Sequence, residues 1–141
     1  MPEAVLPPPA HPTMRHVFVY GTLRRGGDND ITRLMPVPRF VGPAMVSGLM
    51  YDLGTYPGVI LAEEGAATDV VGEVYAIEPE LERVLDEIEE LYPQQRDEYF
   101  KRHISVQAGG LGLTCIVYEI NPTYVTGKPL IASGDWLLGR C

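Results

Sequence analysis

The hydrophobic residues of the chain fall into short stretches that are rich in Val, Ile and Tyr and are bounded mostly by Gly or Pro. Stretches of this length and composition, separated by turn residues, are typical of β-strands. Thirteen prolines and fifteen glycines among 141 residues also favour many turns and short elements. The pattern predicts six strands, over residues 16–20, 44–52, 59–62, 70–77, 101–107 and 113–120.

One segment, residues 78–92, has the periodicity of a helix. Pro79 suits its first position, where the missing N–H is not needed. The apolar residues recur every three or four positions and cover an arc of about 120°; they are Leu81, Val84, Leu85, Ile88 and Leu91. A second, short helix is expected between Asp28 and Leu34. One clear helix among six strands predicts an α+β domain with a strongly curved or closed sheet and the helix at one side or end.

The first thirteen residues carry five prolines, and such a segment stays extended and cannot pair in a sheet. We therefore predict a disordered tail over residues 1–13 and a single domain over residues 14–141. The net charge of −8 disfavours a nucleic-acid partner, which requires a basic face. Because the chain has neither an apolar run of about 18 residues nor the apolar core of a secretory signal, we expect a cytoplasmic protein with no membrane partner that acts on a small molecule.

The cysteines and histidines do not form the clusters that metal or hydrolytic sites require. Cys115 lies in an apolar run and is expected to pack as a small hydrophobic residue, whereas Cys141 is the last residue. The CxxC and HExxH patterns are missing, so no metal site is predicted. The three histidines are scattered and show no Ser/His/Asp order, which disfavours a hydrolytic triad. Trp136 is interpreted as a core residue.

The first predicted strand ends at Tyr20 and is followed by Gly21, Thr22 and Leu23. A glycine at the end of a strand allows a sharp backbone turn and leaves successive N–H groups outside the hydrogen bonds of the sheet. Such groups can converge on an anion, although a tight turn that needs a glycine explains the same residues without a ligand. The stretch is not a phosphate-binding loop, which needs the pattern GxxxxGK[ST].

The stretch GLMYDLGTYPGVI, residues 48–60, predicts two strands joined by a turn. Gly54 is expected to provide the turn, and Tyr56, Pro57 and Gly58 lead into the second strand. A proline in a loop holds its neighbours in place at little cost in entropy. An ordinary turn explains this stretch equally well.

Four carboxylates, of Asp86, Glu87, Glu89 and Glu90, lie near the end of the predicted helix. Most side chains of this kind face water. Glu87 and Glu89 lie just beyond opposite edges of the apolar arc, whereas Asp86 and Glu90 point away from it. A carboxylate half-turned toward the core near a helix C-terminus has a raised pKa, because desolvation and the helix dipole both disfavour its charge. Such a group suits general acid–base catalysis near neutral pH, and the pattern does not choose between Glu87 and Glu89.

Seven segments follow one another along the chain: VFVYGTLR, GLMYDLGTYPGV, VVGEVYAI, LDEIEE, FKRHISV, IVYEI and SGDW. In this order they resemble the γ-glutamylcyclotransferase-like family, which includes the AIG2-like proteins. The resemblance covers about residues 15–138, which is nearly everything outside the proline-rich segment. It implies that residues 14–141 form one small mixed β-barrel with flanking helices.

The resemblance also implies an activity. Members of the family cyclise a γ-glutamyl amine or γ-glutamyl peptide, because the α-amino nitrogen of the substrate attacks its own γ-carbonyl. The products are 5-oxoproline and a free amine. In the family, the loop after the first strand holds the α-carboxylate of the glutamyl group through backbone N–H groups. The residues to which the resemblance assigns substrate binding are Tyr20, Gly21, Thr22, Leu23, Tyr56, Pro57 and Tyr99.

The catalytic glutamate of the family belongs to an LDxxEG motif, which begins here at Leu85, so the resemblance selects Glu89 as general acid/base. Glu89 would take a proton from the α-ammonium group, whose pKa is ordinarily about 8, and deliver one to the departing amine. Ring closure is intramolecular, so neither a cofactor nor a metal is expected. Glu90 replaces the glycine of the motif and residues 91–97 are extra, so a non-catalytic binding module of the same fold is the alternative.

Three arginines lie in or directly after the matching segments. Arg24 and Arg25 follow the loop after the first strand and could attract an anionic substrate, although solvated surface charge explains at least one of them. Arg102 could line the site or pair with an acidic neighbour.

Overall fold

The computed structural model describes residues 14–62, 68–89 and 98–139. Single turns of 3-10 helix lie at Ile31–Arg33 and Pro122–Tyr124. The predicted tail, residues 1–13, and the extra residues 91–97 lie outside the described part. The strands and α-helices, in chain order, are β1 (Arg15–Val19), β2 (Arg39–Asp52), β3 (Pro57–Leu61), β4 (Thr68–Ile77), α1 (Pro79–Glu89), β5 (Tyr99–Ala108), β6 (Leu111–Ile120) and α2 (Trp136–Gly139).

The six strands form one mixed sheet in the order β3-β2-β4-β1-β6-β5. Neighbouring strands are antiparallel except for β1 and β6, which run parallel, with His16 opposite Cys115 and Val17 opposite Ile116. The predicted α+β class with a mixed sheet is therefore confirmed.

The sheet curls until strands that are not ladder neighbours touch. Gly58 on β3 lies against Ile120 on β6. The approach is so close that a Cβ atom at position 58 would be 2.8 Å from side-chain carbons of Ile120. Further along β3, the N–H of Leu61 donates a hydrogen bond to the carboxylate of Glu119, also on β6, at 2.9 Å. These contacts give the sheet the shape of a half-barrel.

The buried side chains form two clusters, because successive residues of a strand point to opposite faces of the sheet. Phe18 on β1 joins the cluster that contains Trp136, which is therefore a core residue as predicted. Val17 joins the cluster that contains Leu81 and Leu85 of α1. Both leucines are fully buried, and burying a side chain of this size contributes about 1.5–3 kcal/mol. Helix α1 thus packs on one face of the sheet through its predicted apolar arc.

Strand β2 differs most from its prediction. It begins at Arg39, five residues before the predicted start at Ala44, and it contains Gly42 and Pro43. The prediction started too late because a Gly-Pro pair usually marks a loop. The strand accommodates the pair at an irregularity, where its register against β4 shifts between Phe40 and Gly42. The other five strands agree with their predicted bounds to within two residues.

Candidate active site

The loop after β1 folds back on its own start. The N–H of Asn29 donates to the carbonyl of Thr22 at 2.8 Å, and the N–H of Ile31 donates to the carbonyl of Leu23 at 2.9 Å. Gly21, Thr22 and Leu23 are buried. We call residues 20–23 the cradle, and its backbone is held by the remainder of the loop.

A buried carboxylate fastens the far end of this loop. Asp30, which is 7% exposed, accepts hydrogen bonds from the N–H of Gly26 at 2.8 Å and from the N–H and hydroxyl of Thr32 at 2.9 and 2.5 Å. Burial by itself would raise the pKa of Asp30, but these hydrogen bonds and the charge of Arg33 outweigh it, so the pKa is lowered. Asp30 also caps the turn Ile31–Arg33, which replaces the short helix expected here.

Three successive N–H groups of the cradle find no acceptor in the described part of the chain. Among the residues that the structure describes, none accepts a hydrogen bond from the backbone N–H of Gly21, Thr22 or Leu23. Buried N–H groups are nearly always paired. Adjacent donors that the fold leaves without an acceptor can instead bind an anionic group.

Gly21 brings the cradle against the first residue of β3. A Cβ atom at Gly21 would lie 2.6 Å from Cγ and 2.8 Å from Cδ of Pro57, which is closer than real Cβ atoms come. The chain does turn at Gly21, whose carbonyl accepts a hydrogen bond from the N–H of Arg24 at 3.0 Å, but this turn does not require a glycine, since the φ of Gly21 is not positive. The close approach of Pro57 is the reason for a glycine. Gly54, the predicted turn residue, does have a positive φ, of 111°.

The two other predicted binding residues lie beside Pro57. The hydroxyl of Tyr99 donates to the carbonyl of Pro57 at 2.8 Å. The hydroxyl of Tyr56 donates to the carboxylate of Glu98 at 2.5 Å. Sequence reasoning missed Glu98, because a single carboxylate before a strand carries no pattern that distinguishes it from a surface residue.

Tyr20 connects the cradle to β6. Its hydroxyl donates to the carbonyl of Tyr118 at 2.6 Å, inside the protein. Its ring packs near that of Phe18, with the ring centroids 6.5 Å apart. The hydroxyl of Tyr20 is thus engaged by the protein, and the contribution of this residue to the cradle comes from its place at the end of β1.

Helix α1 runs from the start of β1 toward the cradle end of the sheet. Arg15, the first residue of β1, lies 3.9 Å from the carboxylate of Glu82. One helical turn later, Asp86 accepts a hydrogen bond from the hydroxyl of Tyr118 at 2.6 Å. Glu89 is the last residue of α1, about 4.5 Å further along the helix axis than Asp86. The end of α1 therefore approaches the level of the cradle.

The two glutamates that the sequence pattern left open differ in their positions. Glu87 is exposed to solvent. Glu89 is the last residue of α1 and follows the fully buried Leu85 by four residues. The side chain of Glu89 and the whole of Glu90 lie outside the described part of the structure, so the catalytic assignment stays a prediction.

The two arginines after the cradle have different environments. Arg24 is only 12% exposed, and its guanidinium lies 3.1 Å from Glu73 on β4 and 2.7 Å from Asp135. Arg24 therefore ties the loop to β4 and to the segment before α2. Arg25 is exposed, and its guanidinium lies over the ring of Phe40 at 5.7 Å from the centroid.

Comparison with known proteins identifies the family. The sequence profile described as "Gamma-glutamyl cyclotransferase, AIG2-like" matches residues 17–138. The chain belongs to this family. The matched range begins within β1 and ends within α2, so every predicted site residue lies in the γ-glutamylcyclotransferase region.

Relatives and solved structures agree with this family. A Vibrio cholerae protein, whose name assigns it provisionally to the gamma-glutamylcyclotransferases, is 32% identical over 126 residues, 87% of this chain and 96% of its own. The gamma-L-glutamyl-butirosin B gamma-glutamyl cyclotransferase of Niallia circulans is 34% identical over 80 residues, 56% of this chain and 48% of its own. The crystal structure of an AIG2-like protein from Mus musculus matches with a TM-score of 0.65 at 28% identity and covers 82% of this chain and 84% of that one.

Two further features of this γ-glutamylcyclotransferase family member concern residues away from the cradle. Across the three described ranges, no group of three or more His, Cys, Asp or Glu residues could hold a metal ion, and no helix is both long and apolar enough to cross a bilayer. Cys115 is a free, buried thiol, and burial raises its pKa to about 11. It packs as the small hydrophobic residue that the sequence predicted.

Proposed function

We propose that this protein is a γ-glutamylcyclotransferase that converts a γ-glutamyl amine or γ-glutamyl peptide into 5-oxoproline and a free amine. The observation that carries the proposal is the row of three N–H groups at the buried residues Gly21, Thr22 and Leu23, for which no described residue is an acceptor, in a chain of this family. The γ-glutamyl group carries an α-carboxylate, and a carboxylate is the kind of acceptor that adjacent backbone N–H groups bind.

The reaction needs only atoms that the substrate contains. The α-amino nitrogen attacks the γ-carbonyl carbon and forms the C–N bond of the five-membered ring. The bond between that carbon and the leaving nitrogen then breaks. The α-nitrogen passes from an ammonium group to the ring N–H and so loses two protons. The leaving nitrogen gains two and departs as an ammonium ion, so the reaction is balanced without water.

The main task of the protein is to hold the substrate in a folded conformation. A well-oriented intramolecular reaction can gain about 7–11 kcal/mol over the corresponding reaction between separate molecules. In the proposed complex, the cradle binds the α-carboxylate, and the segment around Pro57 and Tyr99 forms the adjoining wall. The contacts of Pro57 with Gly21 and Tyr99 support this placement, because they make one continuous surface from three separate parts of the chain.

The proton transfers are assigned to Glu89. It is the residue that the family motif selects, and α1 brings it to the cradle end of the sheet. As general base it would accept the proton of the α-ammonium group, and as general acid it would return a proton to the leaving nitrogen. A positioned acid–base group of this kind contributes about 10²–10⁴-fold to a rate.

The relative from Niallia circulans, which is named for a γ-glutamyl group on butirosin B, supports a small-molecule substrate. The amine that leaves is the part of such a substrate that extends beyond the cradle. We therefore propose a small γ-glutamyl compound as the partner and leave the amine to a substrate panel.

The decisive experiment measures 5-oxoproline after incubation with a panel of γ-glutamyl amines and peptides. Glu89→Gln is expected to lower turnover by about 10²–10⁴-fold. Glu87→Gln is the matched control, since it changes an exposed carboxylate two residues away and should leave turnover unchanged.

The alternative, a binding module without turnover, makes a different prediction. Glu90 in place of the motif glycine and the extra residues 91–97 are the features that favour it. It would bind γ-glutamyl compounds with unchanged affinity in Glu89→Gln and would release no 5-oxoproline. Loss of turnover in Glu87→Gln, with turnover retained in Glu89→Gln, would show that the catalytic residue is Glu87 and that its assignment to Glu89 is wrong.

A further inference from the structure

Side chains from two neighbouring strands form hydrogen bonds with α1 about one turn before Glu89. From β5, the ammonium group of Lys101 donates to the carboxylates of Glu82 at 2.5 Å and Asp86 at 3.0 Å. From β6, the hydroxyl of Tyr118 donates to the other oxygen of Asp86 at 2.6 Å. Both carboxylate oxygens of Asp86 are thus engaged, each by a different strand.

This contact corrects the sequence interpretation of Asp86. The helical pattern directed Asp86 away from the apolar arc, as expected of a solvated carboxylate. In the structure its side chain is only 34% exposed, because Lys101 and Tyr118 reach it from the sheet. The pattern of a single helix does not reveal polar side chains that a neighbouring strand supplies.

The same tyrosine also contacts the cradle. The carbonyl of Tyr118 accepts the hydroxyl hydrogen bond of Tyr20 at 2.6 Å, while its own hydroxyl donates to Asp86. Two hydrogen bonds through one residue therefore connect the end of β1 to the last turns of α1. The bond from Tyr20 is buried and the bond to Asp86 is partly buried, so both are stronger than they would be in full contact with water.

The ion pairs of this cluster hold at neutral pH. Burial by itself would lower the pKa of Lys101, but its hydrogen bonds to Glu82 and Asp86 and their charges outweigh burial and raise the pKa. Lys101 is therefore a cation throughout the range in which the protein would work. The two carboxylates are four residues apart, so a single ammonium group spans one turn of α1.

We propose that Asp86 and Tyr118 are positioning residues that set the place of Glu89 relative to the cradle. The inference rests on the proposed function, in which Glu89 and the cradle act on opposite ends of one substrate molecule. Glu89 is three residues beyond Asp86, so a shift of α1 at Asp86 carries Glu89 with it. A misplacement of about 1 Å in a catalytic group can cost about 100-fold in rate.

The kinetic test uses Tyr118→Phe and Asp86→Ala. The first variant removes only the hydroxyl and keeps the carbonyl that binds Tyr20. Each is expected to lower kcat by about 10- to 100-fold, with a much smaller change in KM because the cradle is intact. The double variant should be no worse than Asp86→Ala alone, since that variant already lacks the hydrogen bond that Tyr118→Phe removes.

Two comparisons separate positioning from a general loss of structure. In a Glu89→Gln background, Tyr118→Phe should have no further effect on kcat, because it acts through Glu89. Arg102→Gln is the matched control on β5. Arg102 is next to Lys101, so its side chain points to the opposite face of the strand, where it pairs with Glu119, and its loss should leave kcat unchanged. The proposal would be overturned if Tyr118→Phe lowered kcat in the Glu89→Gln background as much as it does in the wild type. It would also be overturned if kcat were unchanged in both single variants.

A readout without turnover distinguishes failure of this inference from failure of the proposed function. Amide hydrogen exchange of residues 85–89 should become faster in Tyr118→Phe and stay at its wild-type rate in Arg102→Gln. Faster exchange in a protein that releases no 5-oxoproline would support the positioning role of Tyr118 and refute the proposed activity. Unchanged exchange in Tyr118→Phe, together with 5-oxoproline release by the wild-type protein, would refute the positioning role of Tyr118 alone.

Discussion

A methyl group at Gly21 should separate the cradle from the wall that Pro57 forms. The added Cβ atom would lie 2.6 Å from Cγ and 2.8 Å from Cδ of Pro57, whereas ordinary contacts begin at 3.4 Å. The shortfall is 0.8 Å, from 3.4 minus 2.6. The two carbons belong to a buried ring that cannot rotate away, so the backbone of the cradle or of β3 has to move.

The size of the effect follows from this displacement. Forcing an extra methyl group into a well-packed region costs about 1–3 kcal/mol. Gly→Ala at an ordinary φ recovers about 0.4–1 kcal/mol, because the unfolded chain becomes less flexible. We therefore expect Gly21→Ala to lower the free energy of unfolding by about 1–2 kcal/mol. Loss of one charge-assisted hydrogen bond to the substrate would raise KM about tenfold or more.

Urea unfolding and initial-rate kinetics test this expectation against a matched control. Gly112→Ala also adds one methyl group at a glycine without positive φ, but its Cβ would meet only the exposed side-chain amide of Gln107, at 3.0 Å. That amide can turn aside, so the control should change stability by no more than about 0.5 kcal/mol and leave KM unchanged.

A double-mutant cycle with Pro57→Ala provides the refuting result. Pro57→Ala removes both carbons with which the new methyl group would collide. In this background Gly21→Ala should cost at least about 1 kcal/mol less than it does alone. If the two changes are additive, or if Gly21→Ala is as mild as Gly112→Ala, the close approach is not what requires a glycine at position 21.

Three other outcomes are expected. Because the pKa of Asp30 is lowered, its contribution to stability is present above its ordinary value of 3.8 and is lost as pH falls through the folded value; Asp30→Asn should lower the free energy of unfolding by about 1–3 kcal/mol at pH 7 and flatten its dependence on acid pH. Because the pKa of Lys101 is raised, its contribution to stability is complete below pH 10.5 and is lost as pH rises through the folded value. Urea titrations should therefore show that the wild-type protein loses stability above that pH and that Lys101→Met loses less. In a Cys141→Ser background, the thiol of Cys115 should resist alkylation at pH 8 until urea unfolds the protein, since its pKa is about 11; rapid labelling of the folded protein would contradict this.

Periodicity predicted the elements well because each pattern reports burial on one face. Leu81 and Leu85 identified the packed face of α1, and both are fully buried. The order of the strands was not predictable in the same way, because it depends on partners far apart in the chain. Tyr20 and Tyr118 are 98 residues apart and share a hydrogen bond, and no local pattern encodes the parallel pairing of β1 with β6.

The candidate site shows the same division. Family motifs brought Gly21, Pro57 and Tyr99 to attention, and the structure places them in contact. Polar side chains were harder to interpret, because the role of a charged residue depends on what the fold places opposite it. Asp86 and Glu98 were missed as hydrogen-bond partners for this reason. Arg102 pairs with Glu119 at 2.8 Å, one of the two alternatives considered for it.

The partners of Arg24 affect how the cradle would attract the proposed ligand. Glu73 and Asp135 neutralise this arginine, so the cradle offers peptide dipoles to an anion and draws no net positive charge from Arg24. The attraction of an anion to a peptide dipole decreases faster with distance than its attraction to a positive charge, and salt screens the dipole interaction less when the two groups are in contact. With a net charge of −8, the whole molecule repels anions during their approach. Under the proposed function, selection among ligands would therefore take place over the last few ångströms, through fit rather than through electrostatic steering.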